Sequence, residues 1–215
     1  MEGTEVIKLN KPLLFLIIMF SVGVIGHLIP TLRSLMISLT PFTLLLTGGV
    51  TLLSSGLKSN FKLIVWCVIV YAMTFSLEVV GVKTGYVFGS YSYGNVLGLK
   101  LFEVPLIIGF NWVVIILGAV GIASRIHQSS LQIALLTGTF AVLFDIMLEP
   151  VAINLGYWTW ENGFIPLQNY YAWFGIAFFA SLFGSKLKLD LEDSLFIFYF
   201  LIQFTFFILL SIFMS

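Results

Sequence analysis

Five stretches of this sequence, 13–32, 34–57, 104–124, 164–185 and 194–215, contain no Asp, Glu, Lys or Arg. Each is about as long as the roughly 20 residues a helix needs to cross hydrocarbon. Two further apolar stretches, 63–82 and 129–153, reach that length only by including acidic residues: Glu78 in the first, Asp145 and Glu149 in the second. Seven spans would occupy about 140 of the 215 residues. The composition agrees, since 60% of residues are hydrophobic and 9% charged, against roughly 45–50% and about 25% in soluble domains. The sequence therefore predicts an all-α polytopic membrane bundle of about seven transmembrane helices, a single transmembrane domain over 1–215.

Ten basic residues balance ten acidic ones, so there is no basic surface to hold nucleic acid. The lone Cys67 lies in an apolar run and forms neither an internal disulfide nor a cysteine metal site. Loops on the N-terminal side of seven spans collect Lys8, Lys11, Lys58, Lys62, Arg125, Lys186 and Lys188; the other side has Arg33, Lys83 and Lys100. That imbalance predicts a cytoplasmic N-terminus in the inner membrane.

An internal echo accompanies the acidic spans. Glu78 is followed by Gly85-Tyr86, then Pro105 and Trp112; Glu149 is followed by Gly156-Tyr157, then Pro166 and Trp173. The intervals from glutamate to Gly-Tyr and from proline to tryptophan match in both copies. This predicts a parallel helix-loop-helix repeat relating the third and fourth spans to the fifth and sixth, with Glu78 and Glu149 facing one another across a pseudo-twofold axis.

Carboxyls in hydrocarbon cost roughly 2.5–3.5 kcal/mol each on insertion scales and mark functional positions. Asp145 and Glu149 stand four apart, on one helix face and one turn from each other. Desolvation and mutual repulsion disfavour two charges there, so one of the pair is expected to keep its proton and act as a general acid beside its base. The plainer reading is that they hydrogen-bond to neighbouring helices or reach interface water near the helix end. Pro150 next to them frees a backbone carbonyl. Asn111, beside Trp112, is read either as a helix–helix hydrogen bond or as a substrate contact, and His27 as an interface residue. The aromatic segments that contain Tyr86, Tyr91, Trp158 and Trp160 serve either as interfacial anchors or as a ring-lined pocket for a passing cation.

The last span has no lysine for a retinal Schiff base, and two histidines are too few for a membrane di-iron centre. Neither a haem nor a flavin motif is present, and no Asp-rich pair suits magnesium diphosphate. No cofactor and no metal are expected, and any oxygen added comes from water.

Glu78-x2-Gly81-x3-Gly85 with Phe88-Gly89-x-Tyr91-x-Tyr93, then Asp145-x2-Leu148-Glu149-Pro150-x-Ala152 with Gly156-x-Trp158-x-Trp160, and Pro166-x2-Asn169-Tyr170-x2-Trp173 together resemble the membrane carotenoid hydratase family, which includes carotenoid 1',2'-hydratases and bisanhydrobacterioruberin hydratases. The resemblance covers about Glu78 to Trp173. It implies hydration of the terminal double bond of an acyclic (ψ) carotenoid end to a tertiary alcohol, with Asp145, Glu149 and Glu78 as catalytic carboxyls. Tyr86, Tyr91, Asn111, Trp112, Trp158, Trp160, Asn169 and Trp173 are the expected substrate-binding residues. The expected partners are the carotenoid, water and the lipid bilayer. Two other readings stay open from the residues alone: ring closure begun by the same protonation, and a proton-coupled lipid transporter.

Overall fold

A computed structural model describes residues 10–189 and 194–214; Lys8 and Ser215, used in the sequence reading, lie outside them. Among the described residues seven long helices dominate: α1 Lys11–Leu28, α2 Pro30–Ser54, α3 Phe61–Thr84, α4 Leu106–Ile126, α5 Ser130–Asn154, α6 Leu167–Lys186 and α7 Ser194–Phe213. Four short strands lie in the connections after α3 and α5: β1 Tyr91–Tyr93, β2 Lys100–Leu101, β3 Val104–Pro105 and β4 Trp158–Trp160. Six of the helices are long and apolar enough to cross a membrane. α6, which opens with the polar residues Gln168, Asn169 and Tyr170, is not among those six.

Local chemistry sets the helix ends. Asn10 and Asn60 cap α1 and α3 by accepting from the backbone N–H of Leu13 (2.9 Å) and Leu63 (3.1 Å), which satisfies donors that a helix start leaves free. The sequence reading broke the first two spans at the charge of Arg33, but the chain turns earlier, at Ile29–Pro30. Proline favours an extended conformation in the residue before it, and Ile29 takes φ −85°, ψ 114°. Arg33 instead reaches back from α2, its Nε donating to the His27 carbonyl at 2.9 Å.

α4 forms the centre of the bundle. Its residues are buried without interruption from Trp112 to Gly121, as expected of a helix that is apolar all round and wrapped by others. The other helices send large apolar side chains outward, among them Phe42, Val22, Phe179 and Phe213, which suits a lipid surround and not water. Trp66 of α3 ties the bundle across its core by donating to the Ala180 carbonyl of α6 (3.0 Å).

The strands were not foreseen in an all-helical reading. β2 and β3 form a two-residue hairpin through Phe102 and Glu103, both at positive φ. β1 and β4 pair antiparallel, with Tyr91 opposite Trp160 and Tyr93 opposite Trp158. The loop after α3 is thereby bonded to the loop after α5.

Candidate active site

Glu78 sits near the end of α3, Asp145 and Glu149 one turn apart on α5, and all three are buried. Glu78 accepts three hydrogen bonds: one from the Tyr91 hydroxyl, one from Tyr93 (2.8 Å), both to Oε2, and one from Trp112 Nε1 to Oε1 (2.9 Å). Glu149 also accepts three, from Trp158 Nε1 (3.0 Å) and Trp160 Nε1 (2.9 Å) to Oε2 and from Asn169 Nδ2 to Oε1 (3.3 Å). Asp145 differs. Its Oδ2 accepts from Asn169 Nδ2 at 2.5 Å, while its buried Oδ1 has no hydrogen-bond partner among the described residues. A carboxylate is an acceptor only and is stabilised by several N–H or O–H donors, whereas a protonated carboxyl carries one donor of its own. The two glutamates thus have the surroundings of carboxylates, whereas Asp145 accepts a single hydrogen bond among the described residues.

The small sheet explains how the donors reach their acceptors. Residues two apart on a strand share a face, so Tyr91 and Tyr93 both reach Glu78 from β1, and Trp158 and Trp160 both reach Glu149 from β4. Close approach of the two loops depends on Gly94, which donates to the Tyr157 carbonyl at 2.8 Å; a Cβ there would fall 2.0 Å from the Gly156 carbonyl oxygen. Burial, then the charge of Glu78, pushes the ionisation of both the Tyr91 and the Tyr93 phenol above the ordinary tyrosine range, which keeps both hydroxyls as donors.

The three carboxyls line one cavity of about 180 Å³, well beyond the roughly 10–15 Å³ that one water needs by the same measure. Trp112 and Trp173 stack on its wall with centroids 3.9 Å apart. The cavity extends to Val22 of α1 and Leu39 of α2, side chains that are 55% and 41% exposed, so it reaches the lipid-facing surface between these helices.

Tyr91, Asn111, Trp112, Trp158, Trp160, Asn169 and Trp173 all lie on the cavity wall. Tyr86 does not and is 84% exposed. It follows Gly85, whose φ of 70° turns the chain away at the end of α3; its backbone is held, the N–H donating to Thr84 Oγ1 at 3.2 Å and the carbonyl accepting from Gln168 Nε2. Asn111 also makes the helix–helix bond read from sequence, accepting from Gln203 Nε2 of α7 at 3.2 Å. The sequence reading passed over Tyr93, Tyr157 and Gln203 as wall residues. Tyr93 stands two residues after Tyr91, and Gln203 is a lone amide in an apolar span; both were visible signals.

Among the described residues no three His, Cys, Asp or Glu side chains are grouped to hold a metal ion. These features define an integral membrane helical bundle with an internal, aromatic-walled cavity that carries acidic groups. The carotenoid biosynthesis protein family matches residues 40–215, and the chain belongs to it. It is also similar to a bisanhydrobacterioruberin hydratase of Haloarcula japonica, 29% identical over 113 residues, a match that takes in 46% of this chain. The match spans 37% of that relative's length. No solved structure matches the chain.

Proposed function

We propose that this protein is a carotenoid hydratase that adds water across the terminal C1'–C2' double bond of an acyclic carotenoid end, giving a tertiary 1'-hydroxyl, a carbon–oxygen lyase reaction run without a cofactor. The observation that carries the proposal is Asp145 Oδ1, a buried carboxyl oxygen without a donor among the described residues, in an apolar cavity beside two glutamates already furnished with three donors each. The family and the hydratase relative support the same reading.

In the reaction, Asp145 gives its proton to the less substituted alkene carbon, and the π electrons form the new C–H bond. The positive charge falls on the tertiary carbon, where the faces of Trp112, Trp173, Trp158 and Trp160 stabilise it by about 0.5–2 kcal/mol per well-placed ring. Water adds to that carbon and loses a proton to Glu149. Transfer of that proton along one helical turn to Asp145 restores the starting state, and atoms and charge balance. Glu78, fixed by Tyr91, Tyr93 and Trp112, adds negative potential that favours the cation. The lysine and arginine imbalance between loops supports a cytoplasmic-membrane setting with the N-terminus inside.

Expression in a lycopene-accumulating host, with pigments separated by chromatography and weighed by mass spectrometry in oxygen-18 water, tests the reading. The expected product gains one labelled water per reacting end. A product of unchanged mass but altered mobility would assign the protonation to ring closure, and unaltered pigment would overturn an enzymatic role. Conversion by purified protein in detergent, where no gradient exists, separates catalysis from transport.

A further inference from the structure

Away from the carboxyls, the same cavity is lined by two buried polar side chains that the reaction above does not use: His27, near the end of α1, and Gln203 of α7. They are 4% and 1% exposed. His27 Nδ1 donates to the Gly23 carbonyl at 2.7 Å, so in the neutral ring Nε2 carries a lone pair. That Nε2 has no hydrogen-bond partner among the described residues. Gln203 Nε2 donates to Asn111 Oδ1, leaving Oε1 as an acceptor, also without a partner among the described residues. Phe206 links them: it lines the cavity, sits one turn from Gln203 on α7, and packs edge-on against the His27 ring at 5.7 Å.

Buried polar atoms are almost always satisfied, so two unsatisfied acceptors on one cavity are unusual. Acceptors select a donor. A hydrocarbon polyene offers none and a carbonyl offers none, whereas an O–H group offers one. We propose that His27 and Gln203 form a second polar pole of the cavity, a binding site for an O–H group, supplied either by a hydroxylated carotenoid end or by water. The site stands on the geometry of the cavity and extends the hydratase reading: a ligand hydroxyl there would be that of the product, and a water would be the reactant.

The test uses full-length protein in detergent carrying Asp145→Asn, which prevents turnover during titration. Quenching of tryptophan fluorescence follows the binding of two probes, lycopene and its 1-hydroxy derivative. The expected result is about tenfold tighter binding of the hydroxylated probe, a preference, read as the ratio of the two affinities, lost in His27→Leu and weakened in Gln203→Leu. His27→Gln, which keeps an acceptor, retains it. These binding results do not depend on turnover, so they stand even if no hydration is found. Equal binding of both probes, together with a lower kcat and unchanged KM when His27→Leu is made in protein that keeps Asp145, would assign the site to water. A hydroxyl preference that survives in both leucine variants would overturn the proposal, as would equal binding with unchanged kcat and KM.

Discussion

Tyr91 and Trp160 lie directly opposite one another across the β1–β4 pair, with ring centroids 5.1 Å apart, and each donates to a different buried carboxylate, Tyr91 to Glu78 and Trp160 to Glu149. The contact joins the two halves of the chain at the point where each presents its donor. A shift of one strand against the other by a single residue would turn the shifted strand's ring to the opposite face and leave its glutamate short of hydrogen bonds. The sheet is therefore part of the site and holds its electrostatics in register.

Gly94→Ala tests that coupling. Its Cβ would meet the Gly156 carbonyl oxygen, which is backbone and has no rotamer by which to move aside. Separation of the strands is expected to cost about 1–3 kcal/mol of stability and to lower the proposed hydratase activity at least tenfold, measured by thermal unfolding in detergent and by product formation. Gly49→Ala on α2, where an added Cβ meets nothing within 4 Å, serves as the control and should leave both unchanged or slightly raise stability.

Asp145→Asn and Glu149→Gln should separate in stability while converging in activity. Asn at 145 can still accept from Asn169, and its amide N–H stands where the acid proton stood, so the fold tolerates it. Gln at 149 turns an amide towards a cluster of N–H donors and leaves at least one unsatisfied, a loss of about 1–3 kcal/mol. Activity should fall by about 10²–10⁴ in both, the range for removing a general acid or base. Full activity in Asp145→Asn would refute the assignment of the acid.

The stacked pair Trp112–Trp173 offers a graded test. Trp173→Leu removes one π face and should lower kcat by about 2–30-fold, the rate equivalent of one cation–π contact. Trp112→Leu removes a face and also a donor to Glu78, so its loss should be larger. Single-turnover measurements on variants of matched stability would show the order, and the reverse order would place the cation elsewhere on the wall.

Much of this site is readable from residue type and spacing. Carboxyls in apolar runs stand out because hydrocarbon penalises them, and Asp145 with Glu149 fall on one helix face by arithmetic alone. The pairing of β1 with β4 is not readable in that way, because it joins loops far apart in sequence and depends on backbone approach at Gly94. Tyr86 and Tyr91 look alike in sequence as aromatics near Glu78, yet the left-handed turn at Gly85 sends one outward while the strand carries the other in. The proposed division between Glu149 as carboxylate and Asp145 as acid rests on donors from β4 and α6, so it needs three-dimensional contacts. The break at Ile29–Pro30 was legible, but a count of charges favours Arg33 over the proline rule.

Alkaline titration gives a test independent of turnover. Tyr157, in the loop after α5, is buried, and its hydroxyl lies 3.1 Å from that of Thr40 on α2. Burial pushes its ionisation from 10.0 up to about 12, with the Thr40 contact opposing in part. A phenol whose folded value is raised favours the folded state in its neutral form. That contribution is fully present below pH 10, where both states keep the proton, and is lost as pH rises towards about 12, where the unfolded chain ionises and the folded one resists. Between those limits wild-type stability should fall by about 2–3 kcal/mol more than that of Tyr157→Phe. Chemical unfolding followed from pH 9 to 12 measures the difference, and parallel curves for the two proteins would show that Tyr157 ionises as an ordinary exposed phenol.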